Sequence, residues 1–166
     1  MKLLDRCAPE GEICRGDCDL GLWGLTWPAS VPSVASMRVV LITGTSTGIG
    51  RACVARLATN GWTVFAGVRR SSDADRLKAE ISGDVRPVML DVCDRDQMRA
   101  VIEHIGSDPA VRGLDGLVNN AGVGVGGPVE YASEQDWRWV FDVNLFAVVA
   151  LTQAATPLLR AVKGRV

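Results

Sequence analysis

The sequence predicts an α/β fold, a doubly wound parallel sheet with helices on both faces. Short aliphatic and β-branched runs alternate along the chain with segments of helical character, and the connections between them are short. The strand-like runs are apolar at nearly every position, which is typical of strands covered on both faces. A glycine-rich turn follows the first run directly, as it does where a strand leads through a tight loop into a helix.

Composition predicts a single globular domain without nucleic-acid or membrane partners. The chain has 166 residues, of which 48% are hydrophobic and 22% charged, and its net charge is −1. Basic and acidic residues are interspersed, so no cationic face is expected for nucleic acid or an anionic lipid surface. The 5 cysteines form no paired framework, and His104 is the single histidine. We therefore expect reduced thiols, a cytoplasmic location and no metal site.

Residues 1–36 differ from the rest of the chain and are predicted to be a poorly ordered leader. Prolines, glycines and two tryptophans occur there without a period of 2 or 3.6 residues. Acidic residues interrupt any apolar run that a secretory signal would need. Met37 stands directly before the first strand, and one hypothesis is that translation starts there. The folded domain is therefore assigned to residues 37–166.

The first half of this domain is predicted to hold two strand and helix pairs. The first strand covers about residues 38–42, and a helix follows over about 49–60, ending at Gly61. The second strand covers 63–68 and leads into a polar helix near residues 73–81.

The second half repeats this alternation. The third strand covers residues 87–90, and Asp94 can cap a helix that carries Met98, Val101, Ile102 and Ile105 on one side. The fourth strand covers residues 116–118. A long helix is predicted from about 133 to 161, with a disturbance expected at Pro157. The residues that recur at helical spacing and form its predicted apolar stripe are Trp137, Val140, Phe141, Val148 and Leu151. Trp62, Trp137 and Trp139 are expected to be packing residues.

The glycine turn is the first candidate binding site. Glycines at 44, 48 and 50 allow a sharp turn, a close ligand approach and tight packing of helix on strand. A phosphate there would bind free N–H groups at the positive end of the helix. The alternative is a glycine-rich turn that binds nothing. The residues assigned to cofactor binding are Gly44, Ser46, Thr47, Gly48, Ile49 and Gly50.

The end of the second strand indicates which dinucleotide is preferred. A carboxylate there would hold the free ribose hydroxyl of NAD, but the sequence has Arg69 and Arg70, and no acid before Asp73. A guanidinium matches phosphate oxygens bidentately, which favours NADP, with NAD as the alternative. Arg69 is assigned to the cofactor site. The two arginines could also be a solvated loop pair.

Three further positions lie at the ends of predicted strands or on the long helix. Asp91, with the Val92 backbone, could bind an adenine amino group or serve as a local turn residue. Asn119 and Asn120 can tie loops together, while Ala121 and Gly122 admit a close ligand. Asn144 falls within the apolar stripe, so its amide either bonds to structural backbone or holds an ordered water near the chemistry.

These motifs together resemble the short-chain dehydrogenase/reductase family over residues 38–166. The resemblance rests on Thr43-Gly44-x-x-x-Gly48-x-Gly50, Asp91, the segment 119–122 and Asn144. It implies a Rossmann-type fold and hydride transfer between a nicotinamide dinucleotide and an alcohol or ketone. The segment 123–130 is similar to members that act on steroids, retinoids and other hydrophobic alcohols or ketones. Asn144 would hold a water in the family's proton relay, which makes it the catalytic candidate.

The chain departs from the family in its catalytic groups. The family uses a serine and a Tyr-x-x-x-Lys pair, but the single tyrosine, Tyr131, is followed four residues later by Gln135. Residues 164–166 resemble the start of a fifth strand, so the sheet is expected to be incomplete at the C-terminal side. We therefore expect the N-terminal part of an oxidoreductase, inactive alone and able to form a homo-oligomer when complete. The alternatives are a non-catalytic nucleotide-binding module and a non-functional gene fragment.

Overall fold

The computed structural model describes residues 37–166, and the predicted leader at 1–36 lies outside the described residues. Four strands and five α-helices follow one another in the predicted alternation. The strands are β1 (Val39–Ile42), β2 (Thr63–Val68), β3 (Val85–Met89) and β4 (Gly116–Val118). The helices are α1 (Gly48–Thr59), α2 (Ser71–Glu80), α3 (Arg95–Ser107), α4 (Glu134–Phe141) and α5 (Ala147–Val162).

The four strands form one parallel sheet in the order β3-β2-β1-β4. The chain runs outward from β1 to β3 and then returns to place β4 on the other side of β1. The strand order therefore reverses at β1, and a crevice opens between the carboxyl ends of β1 and β4. This arrangement confirms the predicted doubly wound parallel fold.

Strand β1 is the centre of the core because both of its faces are covered. Its four residues are between 0% and 2% exposed. Leu41 packs with Phe65 and residues of α3 and α5 on one face, while Ile42 packs with Val64 and residues of α1 and α2 on the other. The alternation follows from the two-residue period of a strand. It explains why the strand sequence is apolar throughout.

The helix boundaries follow local capping chemistry. The Asp94 side chain accepts hydrogen bonds from the N–H groups of Asp96 and Gln97, at 2.9 and 3.0 Å, which confirms the predicted cap of α3. Ser133 and Asp136 form a reciprocal capping box at the start of α4. Gly61, with φ of +77°, follows the end of α1 as predicted.

The long helix is disturbed at Asn144, and the predicted disturbance at Pro157 is wrong. A π-helical turn, Asp142–Phe146, separates α4 from α5, whereas α5 continues through Pro157 to Val162. Gln153, the residue whose carbonyl loses its helical partner, is exposed beside the exposed proline. Water can replace the missing bond at such a position, so the proline is tolerated there.

The predicted apolar stripe of this helix is also wrong for its N-terminal half. Trp137 and Phe141 are 43% and 50% exposed, and Trp139 is 46% exposed, so neither tryptophan packs in the core as predicted. A π turn adds a residue to the helical repeat, so the faces before and after it are out of phase. The buried residues of the segment are Val143, Ala147, Leu151, Ala155 and Leu159.

One helical segment of this region bears on the predicted absence of a membrane partner. By length and composition alone, the helical segment Glu134–Val162 could span a membrane, and it is the one such segment in residues 37–166. A helix that forms one layer of a core, as α5 does, gives the same signal. The predicted absence of a membrane partner stays a prediction.

Beyond α5, Arg165 pairs with Gly116 in a parallel bridge, as expected for the start of a further strand.

Asp84 should contribute pH-dependent stability. Burial tends to raise its pKa, but hydrogen bonds from Arg86 and Thr63 outweigh this effect, and the pKa is lowered. A lowered carboxyl pKa stabilises the fold above the unfolded value of about 3.9, and this stability is lost as pH falls through the folded value. We expect Asp84→Asn to lower the free energy of unfolding at pH 7 by under about 1 kcal/mol, since the group is partly solvated.

Urea unfolding of wild type and variant at pH values from 7 to 3 measures this difference. It should shrink as pH falls below about 4. Asp75→Asn is the matched control, because Asp75 is exposed and has no ion pair within residues 37–166. A difference for Asp84→Asn that is constant over this range would contradict the role given to its charge.

Candidate functional site

The glycine turn between β1 and α1 has the conformation that the sequence predicts. Gly44 and Gly48 have φ of +66° and +59°, in the left-handed region that disfavours residues with a side chain. At Gly50 the constraint is space, because a Cβ atom would lie 2.3 Å from the carbonyl oxygen of Gly44 and 2.4 Å from Asn120 Nδ2. The first turn of α1 is thereby packed directly onto the loop.

A hydrogen-bond network ties this turn to the loop after β4. The Nδ2 group of Asn120 donates to the carbonyl oxygens of Thr43 and Gly44, both at 2.9 Å. In return, the buried Thr43 Oγ1 accepts from the N–H groups of Asn120 at 3.0 Å and Ala121 at 2.9 Å. The predicted tie between loops is confirmed for Asn120. Asn119 bonds instead to Thr152 Oγ1 of α5, at 3.2 Å.

The N-terminus of α1 keeps its hydrogen-bond donors available. Thr47 occupies the cap position with an extended backbone, but its side chain makes no capping hydrogen bond. The first turn also contains no acidic residue. The N–H groups of a first turn have no partners within the helix, so here they are left for water or a ligand. The positive end of the helix dipole adds attraction for an anion.

The two arginines after β2 have different surroundings. Arg70 Nε donates to Asp73 Oδ2 at 3.0 Å, and Asp73 is 4% exposed. Arg76 donates to the other oxygen of Asp73 at 3.0 Å and also to the carbonyl of Ser46 in the glycine turn, at 2.9 Å. Arg69 is exposed and has no hydrogen bond or ion pair within residues 37–166. Arg70 is therefore ion-paired on one side while its side chain stays 73% exposed, so the interpretation as a solvated pair stays open.

The segment after β3 forms a rigid turn. Asp91 Oδ1 accepts from the N–H of Cys93 at 2.9 Å, and the Asp91 N–H donates to Gln97 Oε1 at 2.8 Å. Asp91 thus has the local turn role that the sequence left open, and this bond occupies one of its carboxylate oxygens. Partial burial raises the pKa of the neighbouring Cys93 thiol, and the charges of Asp91 and Asp142 raise it further.

Asn144 holds the loop that follows the Asn-Asn-Ala-Gly segment. Its Oδ1 accepts from the N–H of Val123 at 2.9 Å, and its Nδ2 donates to the carbonyl of Val123 at 2.8 Å. The amide lies in the π turn and is exposed, so the predicted burial in an apolar stripe is wrong. Of the two alternatives predicted for this amide, the structure shows the hydrogen bond to structural backbone. The role in a proton relay stays a prediction.

These loops enclose one cavity of about 750 Å³ at the carboxyl ends of the strands. Most of the predicted cofactor residues line it, namely Gly44, Ser46, Thr47, Arg69, Asp91, Val92, Asn120, Ala121 and Gly122. Gly48, Ile49, Gly50 and Asn144 do not line it, although the three residues of α1 begin the helix that abuts it. Four motifs that are far apart in the sequence therefore line one cavity: the glycine turn, Arg69, the Asp91 turn and the segment 120–122.

Several lining residues were missed by the sequence analysis. Val143 directly precedes Asn144, and Cys93 directly follows Val92, so proximity to a motif could have found both. Trp139 and Asp73 had no such signal, because whether their side chains face the cavity depends on how α4 and α2 are rotated. The remaining missed residues are Gly67, Val68, Leu90 and Val123, with the already discussed Arg70 completing the lining.

The cavity carries binding groups but none of the family's proton-transfer groups. Among residues 37–166, no tyrosine, lysine or histidine lines it. Tyr131 lies on a short 3-10 turn, Val129–Tyr131, and is 81% exposed. Within residues 37–166, no cluster of three histidine, cysteine or acidic residues is arranged to hold a metal ion. The arrangement is suited to holding a phosphorylated ligand.

Comparison with known proteins identifies the class. A family model described as short chain dehydrogenase matches residues 38–166, which include every strand and helix of the described domain. The chain therefore belongs to the short-chain dehydrogenase family, whose members are oxidoreductases.

Individual relatives agree with this assignment. The mitochondrial D-beta-hydroxybutyrate dehydrogenase of Mus musculus is 37% identical over 145 residues, covering 83% of this chain and 42% of the relative. Retinol dehydrogenase 5 of Mus musculus is 34% identical over 150 residues, covering 87% of this chain and 46% of the relative. The chain thus spans less than half the length of these curated relatives.

A solved structure confirms the fold. The crystal structure of a metagenomic short-chain oxidoreductase in complex with NADP matches with a TM-score of 0.69 and 30% identity. The match covers 78% of this chain and 61% of that chain. The Rossmann-type assignment made from the sequence is confirmed.

Gly50 should be intolerant of any side chain. In Gly50→Ala the added methyl group would overlap the Gly44 carbonyl oxygen, which the backbone cannot easily move. We expect the free energy of unfolding to fall by about 1–3 kcal/mol, measured by urea denaturation. Gly126→Ala is the matched control, since a Cβ atom there would meet nothing within 4 Å. Equal effects of the two substitutions would contradict the packing described.

Proposed function

We propose that this chain binds NADP in the cavity and supplies the cofactor-binding part of an oxidoreductase that acts on an alcohol or ketone. The observation that carries this proposal is the N-terminus of α1, which has no side-chain cap and meets the same cavity as Arg69, a residue without an ion pair within the described domain. A dinucleotide with a 2′-phosphate needs an anion site at each of these two places. The membership in the family supports the binding of a nicotinamide dinucleotide.

The residues present fit the group. A Cβ atom at Gly48 would meet nothing within 4 Å, so open space lies in front of the helix N-terminus. The absence of a side chain there lets a pyrophosphate approach the N–H groups closely. Ser46 and Thr47 border this space as part of the cavity wall.

The preference for NADP over NAD is argued from charge. A site for NAD commonly presents a free carboxylate to the ribose hydroxyl. The first acid after β2 in the sequence is Asp73, and both of its oxygens are already bonded to arginines. Arg69 is left to bind a phosphate bidentately. NAD is the alternative cofactor, and the solved relative in complex with NADP is in line with the preference.

The bound dinucleotide would supply the acceptor or donor of a hydride in the interconversion of an alcohol and a ketone. The chain's own residues hold the ligand in place. Asn120 fixes the loop that borders the cavity, and Asn144 fixes the backbone of Val123 next to it. Because no tyrosine or lysine of the described domain lines the cavity, we expect the chain by itself to bind the dinucleotide without efficient turnover.

The substrate, assembly and location are further parts of the proposal. The loop after the cavity exposes Val125 and Val129, and a relative of this chain is named a retinol dehydrogenase, which supports a hydrophobic alcohol or ketone. Exposed apolar residues of α4 and the π turn, among them Phe141 and Leu145, support a homo-oligomer. A cytoplasmic location stays a prediction from the cysteine content.

Titration with NADPH tests the proposal. Binding is followed by the change in nicotinamide fluorescence, with NADH titrated in parallel. We expect saturable binding with tighter affinity for NADPH. No change at millimolar NADPH would overturn the binding function and favour the alternative of a non-functional gene fragment. Binding without turnover of alcohols or ketones would agree with the expected inactivity of the chain alone.

Arg69 should decide the selectivity. Arg69→Gln removes the free guanidinium, so NADPH binding should weaken by about 10-fold to 100-fold, in line with the loss of a charge-assisted hydrogen-bond pair. NADH binding should change little, because NADH has no 2′-phosphate. The measurement is the ratio of the two dissociation constants.

Arg112→Gln is the matched control for this experiment. Arg112 is exposed, has no ion pair within residues 37–166 and does not line the cavity. Its loss changes the net charge equally without touching the site. If both substitutions weaken NADPH binding to the same degree, the effect is one of net charge and the specific contact is refuted.

A further inference from the structure

Two tryptophans on α4 are alike in exposure but differ in surroundings. Trp139 is 46% exposed and lines the cavity at the ends of the strands. Trp137, two residues earlier, is 43% exposed and lines a separate groove together with Phe141 and Phe146. A half-exposed tryptophan leaves a large apolar surface in water, which is unfavourable unless a partner covers it.

The helical segment of Trp139 packs against the turn after β3. Arg95, at the start of α3, donates through Nη2 to the carbonyl oxygen of Phe146 at 3.4 Å. Phe146 belongs to the π turn that directly follows α4. Trp139 of α4 lines the same cavity as Asp91, Val92 and Cys93 of the turn after β3.

This end of the cavity has the composition of a site for a flat aromatic ring. Leu90, Val92 and Val143 give it apolar walls, and the half-exposed Trp139 adds an aromatic surface. The Asp91 turn is held rigid by its bonds to Cys93 and Gln97. A purine stacked on an indole buries one face of each ring. The entropic cost is small, because the tryptophan side chain has only two torsions.

We propose that Trp139 is a binding residue that stacks on the purine base of the dinucleotide. The inference rests on the proposed function, because it takes the cavity to be the dinucleotide site. Arg69 and Arg70 line the same cavity, so the base and the 2′-phosphate of one adenosine would be held by neighbouring walls. Stacking does not select among bases, so Trp139 contributes affinity while Arg69 contributes selectivity.

The test compares Trp139→Ala with Trp137→Ala, a control of the same type on the same helix. Adenosine 2′,5′-bisphosphate, which carries only the adenosine half, and NADPH are titrated by calorimetry. We expect Trp139→Ala to weaken both ligands by about 10-fold, the loss typical of one stacked base. Trp137→Ala should bind both ligands as the wild type does. NADH is titrated in parallel and should weaken by the same factor, so the ratio of NADPH to NADH affinity should not change, which separates Trp139 from Arg69.

A second readout does not depend on the alanine variant folding. A purine stacked on an indole quenches its emission, and adenosine 2′,5′-bisphosphate does not absorb where tryptophan emits. The bisphosphate should quench the emission of wild type and of Trp137→Phe, and the quenching should be lost in Trp139→Phe.

The outcomes separate the two proposals. If wild type binds neither NADPH nor the bisphosphate, the proposed function fails and the stacking role falls with it. If wild type binds both but Trp139→Ala equals Trp137→Ala, only the stacking role is overturned. Quenching that survives in Trp139→Phe overturns it as well.

Discussion

The exchange of hydrogen bonds between Thr43 and Asn120 is the interaction on which the site depends. Asn120 saturates two carbonyl groups of the glycine turn, and the buried Thr43 hydroxyl saturates two N–H groups of the loop after β4. The two loops come from strands that are neighbours in the sheet but 77 residues apart in sequence. Without this exchange, each loop would leave polar backbone groups unpaired near the core.

The sheet and the site are built from the same strand. Because β1 is covered on both faces and paired on both edges, its carboxyl end is rigid and can present a tight turn. The helix that follows begins with free N–H groups, while the neighbouring β2 is followed directly by Arg69, which has no ion pair within residues 37–166. Two positive features of different origin, a helix dipole and a guanidinium, therefore face one cavity.

The sequence predicted the parts of this structure that depend on local chemistry. The bounds of β2 and β4 agree with the expectation, because continuous apolar runs end at residues that favour turns. The π turn and the exposure of Trp139 were not predictable in the same way. Both depend on the phase of a helix, which is set by how α5 packs on the sheet and by the bond of Asn144 to Val123. The sequence analysis noted Asp73 only as the first acid after the second strand. Its ion pairs with Arg70 and Arg76 were not predicted, because the fold brings both arginines to it.

The position of β1 between β2 and β4 has a consequence for the order of folding. Pairing of β1 with β2 closes a loop of moderate length, whereas pairing with β4 must wait for a much longer segment to be ordered. A partly folded chain with β1, β2 and β3 in place has the glycine turn but lacks the strand that anchors its loop. We therefore expect the cavity to be assembled late, so a dinucleotide that binds there would recognise the four-stranded sheet and report on its formation.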